Sequence, residues 1–357
     1  MTDTPTAASR VAQVERRLIE LQEAAQFSDL RDRLENVDTR LGQLPAALAG
    51  LRSQGYVFHS SLEERIAGLR RSWPGTRRQV QEAIAQRATD LEPDVREAIA
   101  AVQRLQSFRV RPLATAEPSI AAVEARLESL AQRVRAAAAT VAGMFDALER
   151  ELRAIDGEIS TVAALLAEMR AASFPFQPDE CGVAMVQAEQ MGAQKDDTLK
   201  GILFLTDRRL IMERAEKVAT KKVLFITTKS ELVRELLWEV SIDLLEGAQA
   251  TEERKALIFT HDFLTLTFKS PAAVQEVTLR LKDDSEEWRG LIDEVKSGRI
   301  EGQRVAGSPA GAQATRYIVP AKCPGCGAGL SLAGEVRGMS AYTCETCGNV
   351  IALSRAE

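Results

Sequence analysis

The sequence predicts a multidomain chain: an all-α region, then a small antiparallel β-domain closed by a helix, then a short module held together by metal. Three observations predict it. Residues 1–172 contain 23 arginines, no lysine and only 6 of the 17 aromatic residues, which is a long-helix composition with too few large rings for an ordinary globular core. Residues 174–300 carry short β-type runs separated by turn residues. Near the end, four of the five cysteines stand in two C-x2-C pairs within 25 residues, a metal-site spacing rather than a disulfide framework. The boundaries follow as 1–172, 174–300, a linker at 301–316 and a final module at 317–357.

In the helical region apolar residues recur in steps of three and four. Val11, Val14, Leu18 and Leu21 set one seam, and Leu30, Leu34, Val37, Leu41, Leu44, Leu48 and Leu51 set another that is out of phase with it. The seam must therefore shift near Phe27. Pro45 predicts a kink in the second run. After QGYVFHSSLEER breaks the pattern, Ser61 and Glu64 offer a capping box for a short helix that Pro74 and Gly75 end. A further helix is expected from Thr76 to Phe108, with a break or fresh start at Pro93. The longest seam runs from Ile120 to Met169 with Pro118 in its first turn. Its ~54 residues would extend roughly 80 Å as one rod. Two readings stay open: a coiled-coil rod for spacing or homo-oligomerisation, or helices folded back on each other as an antiparallel bundle.

SFPFQPDE ends the helices, because Pro175 and Pro178 oppose continuation. The expected strands are Val183–Ala188, Gly201–Thr206, Arg209–Glu213, Val223–Thr227, Glu239–Leu245, Ala256–Thr260, Phe263–Phe268 and Val277–Lys282, with turns at Asp207-Arg208 and His261-Asp262. A helix over about Ser285 to Lys296 presents Trp288, Leu291, Ile292 and Val295 to one side. An extra strand or a helical insertion around Lys229–Leu237 would be a departure from this order of elements. Thr206, Asp207 and Arg209 read as turn structure rather than as a catalytic set, and Cys181 as a buried structural thiol.

The strings GILFLTDRRLIM, WEVSIDLLEGA, ALIFT with FLTLTF, and EEWRGLIDEV together resemble the pleckstrin-homology superfold, in particular its GRAM-like and bacterial PH-like versions. The resemblance covers about residues 174–300. It implies a seven-stranded bent sandwich plugged by a C-terminal helix, and a role in binding phospholipid head groups or protein segments. The residues placed to serve such a ligand are Lys195, Lys200, Arg208, Lys217, Lys221 and Lys222. Basic residues exceed acidic ones by only three over 195–222, so ordinary hairpin surface charge competes with that reading.

The segment EGQRVAGSPAGAQATR reads as a flexible linker. Beyond it, Cys323, Cys326, Cys344 and Cys347 form C-x2-C-x17-C-x2-C, each pair followed by a glycine that can take positive φ. The module resembles a zinc ribbon with two knuckles. Four thiolates suit one tetrahedral Zn²⁺, and a module this small needs such a staple, since apolar burial alone is too little. With every ligand a cysteine, the zinc is expected to be structural rather than catalytic. Rubredoxin-like iron is the alternative metal.

Charge narrows the function further. The formal net charge of −5 divides into −1 for residues 1–172 and −4 for the rest, and the ribbon is neutral, so neither supplies the broad basic surface of a nucleic-acid protein. No apolar run reaches the ~18 residues of a membrane span, and the start lacks a basic region followed by an apolar one. Two histidines, with no Gly-rich phosphate loop or nucleophile elbow, leave catalysis unsupported. The expectation is a cytoplasmic, non-enzymatic scaffold or adaptor with protein partners. The alternatives are a peripheral-membrane protein recognising an anionic membrane surface and a nucleic-acid-associated ribbon factor.

Overall fold

A computed structural model of the chain describes residues 6–177, 179–192, 198–223, 226–256, 259–306, 316–337 and 341–356. It divides into two compact units, Met1–Ala47 with Glu63–Gly157, and Leu48–Leu62 with Glu158–Glu357.

The first unit is built from α1 (Ala7–Ala24), α2 (Ser28–Ser53), α3 (Leu62–Leu105), α4 (Leu113–Gly143) and α5 (Asp146–Ala171), the last turns of α2 and α5 falling in the second unit. Thr6 and Ser9 cap α1 reciprocally. The seam shift near Phe27 is a real interruption: Phe27 adopts φ 54° between α1 and α2, and its side chain is buried. The ion pairs fix the direction of the rods. Arg10 meets Glu117 and Glu124, Arg17 meets Glu128, Arg33 meets Asp146 and Glu149, and Arg40 meets Asp156, at sequence separations of 107 to 116. A nearly constant separation requires α1–α2 and α4–α5 to run parallel. Along α3 the relation reverses: Trp73 and Arg77 reach Asp38, whereas the following turn, at Gln106 and Arg109, reaches back to Glu15. Glu97 and Asp94 meet Arg126 and Arg133 in the same reversed order. The unit is thus an up–down–up bundle that closes within one chain.

Several helix boundaries differ from expectation. Pro74 and Gly75 do not stop a helix and Pro93 does not restart one; α3 runs unbroken through all three. Trp73 and Val80, and likewise Leu91 and Ala98, are buried seven residues apart on either side of each proline, so packing of one continuous stripe outweighs the lost backbone hydrogen bond. Conversely, the expected 54-residue rod breaks between α4 and α5. Met144, assigned to the seam, is 43% exposed, while Phe145 takes the buried position with Arg33 over its ring at 4.6 Å. Pro118 also lies in the second turn of α4, not the first.

The second unit holds β1 (Gly182–Met191), β2 (Thr198–Thr206), β3 (Arg209–Val223), β4 (Ile226–Ser241), β5 (Leu245–Ala256), β6 (Phe259–Phe268), β7 (Glu276–Leu281) and α6 (Ser285–Lys296). The antiparallel strands follow the order β4-β3-β2-β1-β7-β6-β5, so β1 joins the two halves of the sheet. Leu203, Leu205, Leu264, Leu266 and Leu279 are fully buried, as are Trp288, Ile292 and Val295 of α6. The Asp284 side chain caps that helix by accepting from the N–H groups of Glu286 and Glu287. Gly201 is required where β2 and β3 approach, since a Cβ there would lie 2.0 Å from the Glu213 carbonyl oxygen.

Seven strands replace the eight expected. Val223–Thr227 is not a strand of its own; β3 and β4 are two long strands that meet there, and Lys229–Leu237 is continuous β4 rather than an insertion. His261 and Asp262, expected in a turn, lie within β6 opposite Glu253 and Glu252. Part of the expected linker is ordered: Arg299–Gln303 forms a 3-10 turn, and the N–H of Val305 donates to the Val57 carbonyl at 2.8 Å. The rest, 307–315, lies outside the described residues.

Candidate metal centre

The cysteine module consists of β8 (Arg316–Val319), β9 (Gly334–Arg337), β10 (Ala341–Thr343), β11 (Val350–Ala352) and β12 (Ser354–Arg355), paired as β12-β8-β9 and β10-β11. Between them lie two turns that repeat one geometry. In the first, the N–H of Gly327 donates to the Cys323 carbonyl and the N–H of Cys323 to the Ala328 carbonyl, both at 2.8 Å. In the second, the N–H of Gly348 donates to the Cys344 carbonyl at 2.8 Å and the N–H of Cys344 to the Asn349 carbonyl at 2.9 Å. Gly327 and Gly348 take φ 75° and 72°, the positive values that only glycine adopts without strain. The first cysteine of each pair is buried and the second exposed.

All four Sγ atoms lie within 4.8 Å of one another. The Cys323–Cys347 and Cys326–Cys344 separations are 3.8 and 3.7 Å. Metal–sulfur bonds of about 2.3 Å in a tetrahedron place sulfurs about 3.8 Å apart, so the donors fit a tetrahedral thiolate-bound ion. Electrostatics point the same way. Burial acts against the Cys344 thiolate, but the N–H groups of Cys347 and Thr346 outweigh it and bring the thiol down to about 6. The Asn349 N–H favours the Cys347 thiolate, yet the surrounding sulfurs push that thiol up to about 12. At this spacing all four sulfurs can be anionic together only with a cation among them.

The support beneath the donors is small. Val319, Leu330, Val336, Tyr342, Ile351 and Leu353 form a cluster with Cys323 and Cys344. The Tyr342 hydroxyl donates to Glu345 at 2.7 Å and lies 3.1 Å from the Ser331 hydroxyl. The Ser331 hydroxyl, which also donates to Glu345, and then that of Tyr342 hold this carboxyl below the usual carboxylate range.

Of the six basic residues singled out in the β-domain, five fall on β2, the β2–β3 turn and β3. Lys195 lies outside the described residues. Lys200, on β2, faces Glu189 at 3.9 Å. Arg208 is buried in the β2–β3 turn at 2% exposure, away from any surface ligand. Lys217, Lys221 and Lys222 occupy the far part of β3. Sequence reasoning passed over Lys229, which sits directly opposite Lys221 on β4; it became visible only once the strands were paired.

The LTDRR turn is held by hydrogen bonds of its own residues. Thr206 Oγ1 accepts from the N–H groups of Arg208 and Arg209, and Arg209 donates to Glu180 twice at 2.8 Å. Asp207 accepts from the Cys181 N–H at 2.9 Å and pairs with Arg304. Burial raises the Asp207 carboxyl, and burial followed by the Asp207 charge pushes the Cys181 thiol up to about 11.

No family model matches the chain, and no curated protein does. Among solved structures, the PDZ-RhoGEF DH/PH domains in complex with GTP-γ-S activated RhoA align at 12% identity over 79% of this chain and 95% of that one, with a TM-score of 0.29. The activated truncation of Vav1 aligns at 13% identity over 94% and 96%, with a TM-score of 0.25. Superposition at that level carries no argument about function.

Proposed function

We propose that the protein is a non-enzymatic adaptor in which the cysteine cluster holds one structural Zn²⁺, the helical bundle sets spacing or self-association, and the PH-like domain and zinc ribbon dock partner proteins. The observation that carries this reading is the donor set. Two like turns present four thiols at tetrahedral spacing, so a bound zinc has its shell filled by protein and keeps no position for water or substrate. The chemistry such an ion supplies is cross-linking: it ties two short hairpins whose shared core is otherwise too small to persist. The polar residues beside the cluster, Tyr342, Ser331 and Glu345, satisfy one another and serve to hold the second turn.

Native mass spectrometry of the full chain tests the metal: one zinc per chain is expected, and a metal-free chain or bound iron would refute the assignment. Affinity capture with the full chain and with its Cys323→Ser/Cys344→Ser variant tests the adaptor role. Partners lost by the variant are those docked through the ribbon; capture that is identical for both removes the ribbon from recognition. Light scattering tests assembly, where a monomeric mass would exclude self-association through the helices.

A further inference from the structure

The four sulfurs of the metal centre are not equivalent. Cys323 and Cys344, the first of each pair, are buried, whereas Cys326 and Cys347, the second of each, stand at the surface. The short separations cross from one turn to the other: buried Cys323 lies 3.8 Å from exposed Cys347, and buried Cys344 lies 3.7 Å from exposed Cys326. Each sulfur that solvent reaches thus has a sheltered sulfur of the other turn beside it. The neighbours of the outer pair, Gly325, Gly327, Thr346 and Gly348, are small and exposed themselves, so they leave both sulfurs open. On the sheltered side, Gly325 donates its N–H to Cys323 Sγ at 3.3 Å.

A cysteine is oxidised by a peroxide according to its thiolate character and its access to solvent, and the oxidised sulfur goes on to a disulfide when a second thiolate stands next to it. The cluster meets both conditions twice. The fifth cysteine meets neither: Cys181 is buried, its thiol is pushed up to about 11, and it joins no group of metal-ligating side chains among the described residues.

We propose that the ribbon is a peroxide-sensitive metal switch, in which hydrogen peroxide oxidises Cys326 and Cys347 and converts the cluster into two crossed disulfides, Cys326–Cys344 and Cys323–Cys347. At each pair the exposed thiolate attacks one peroxide oxygen, the O–O bond breaks, and a sulfenic acid forms as hydroxide leaves. The buried thiolate then attacks the sulfenic sulfur, the S–O bond breaks, and a second hydroxide leaves as the S–S bond forms. Two thiolates lose two electrons and one peroxide gains them. No thiolate then remains to hold zinc, and docking through the ribbon comes under thiol–disulfide control. The inference rests on the zinc and docking reading proposed above.

The test uses the full chain loaded with zinc, titrated with hydrogen peroxide beside a chromogenic zinc chelator, then alkylated under denaturing conditions and mapped by mass spectrometry. The expected result is complete zinc release with about two equivalents of peroxide consumed, both crossed disulfides present, and Cys181 alkylated. Dithiothreitol with added zinc should restore the metal, and Cys181→Ala should respond as the parent does. The inference alone is overturned if zinc stays bound in a large excess of peroxide, if the disulfides lie within one turn or reach Cys181, if Cys181→Ala keeps its zinc, or if the cysteines pass to sulfonic acids that dithiothreitol cannot reduce. A chain that carries no zinc before peroxide is added refutes the metal assignment itself, and this inference falls with it.

Discussion

In the helical unit, buried leucines, valines and isoleucines recur every three or four residues along all five helices. Among the described residues the cysteine module buries eight in its cluster, two of which are cysteines. The difference teaches where stability resides. The bundle spreads it over a long seam and uses interhelical arginine–carboxylate pairs to set direction, while the module concentrates it at one point where four sulfurs converge.

The sharpest way to break this contrast is Cys344→Ser. Metal binding at such sites supplies ~10–16 kcal/mol, so zinc stoichiometry should fall to zero and amide protection vanish over β8–β12, with the helical circular-dichroism melt unchanged. A protected module without metal would refute the point-like account. In the bundle, Leu127→Ala, at a fully buried position of α4, should cost about 2–5 kcal/mol by chemical denaturation, leaving helicity at low denaturant intact. Loss of the whole helical signal at zero denaturant would show the bundle to be as brittle as the module. Arg65→Ala removes the 2.7 Å pair with Glu151 and should cost less than about 1 kcal/mol, because both side chains remain partly exposed. A loss of several times that would make the ion pairs a source of stability rather than of orientation.

The smallest effect concerns pH. The folded carboxyl of Asp207 titrates above its unfolded value, so the folded state binds more protons there. Its contribution is complete below the unfolded value and is lost as pH rises through the folded one. Stability of the parent relative to Asp207→Asn should therefore decline as pH climbs from below the ordinary carboxylate range. A rise instead would mean that the Arg304 pair outweighs burial at this site.

Much of this architecture was legible in the residues. The phase change at Phe27 marked a true break, and the spacing of Leu34 to Leu51 named a buried stripe without error. The prolines of α3 misled because their local penalty is obvious while the seven-residue intervals from Trp73 to Val80 and Leu91 to Ala98 are easily overlooked. Met144 misled for the opposite reason: a continuous apolar rhythm hid a turn at which Phe145 packs beneath Arg33. In the β-domain, single-strand patterns located the hydrophobic runs but not which runs merge, because β3 and β4 extend past the point where alternation against a core sets their length.

By itself the sequence determined the chemistry of the cysteine cluster, the helical character of the first 172 residues and the order of the parts, since spacing, period and donor type act over a few residues. Tertiary structure alone decided that α1–α2 runs parallel to α4–α5, that Arg208 is buried, and that Lys221 and Lys229 are partners in the register of β3 and β4. Those outcomes depend on which distant segments meet, and that choice is made cooperatively by many weak contacts whose partners no local pattern names.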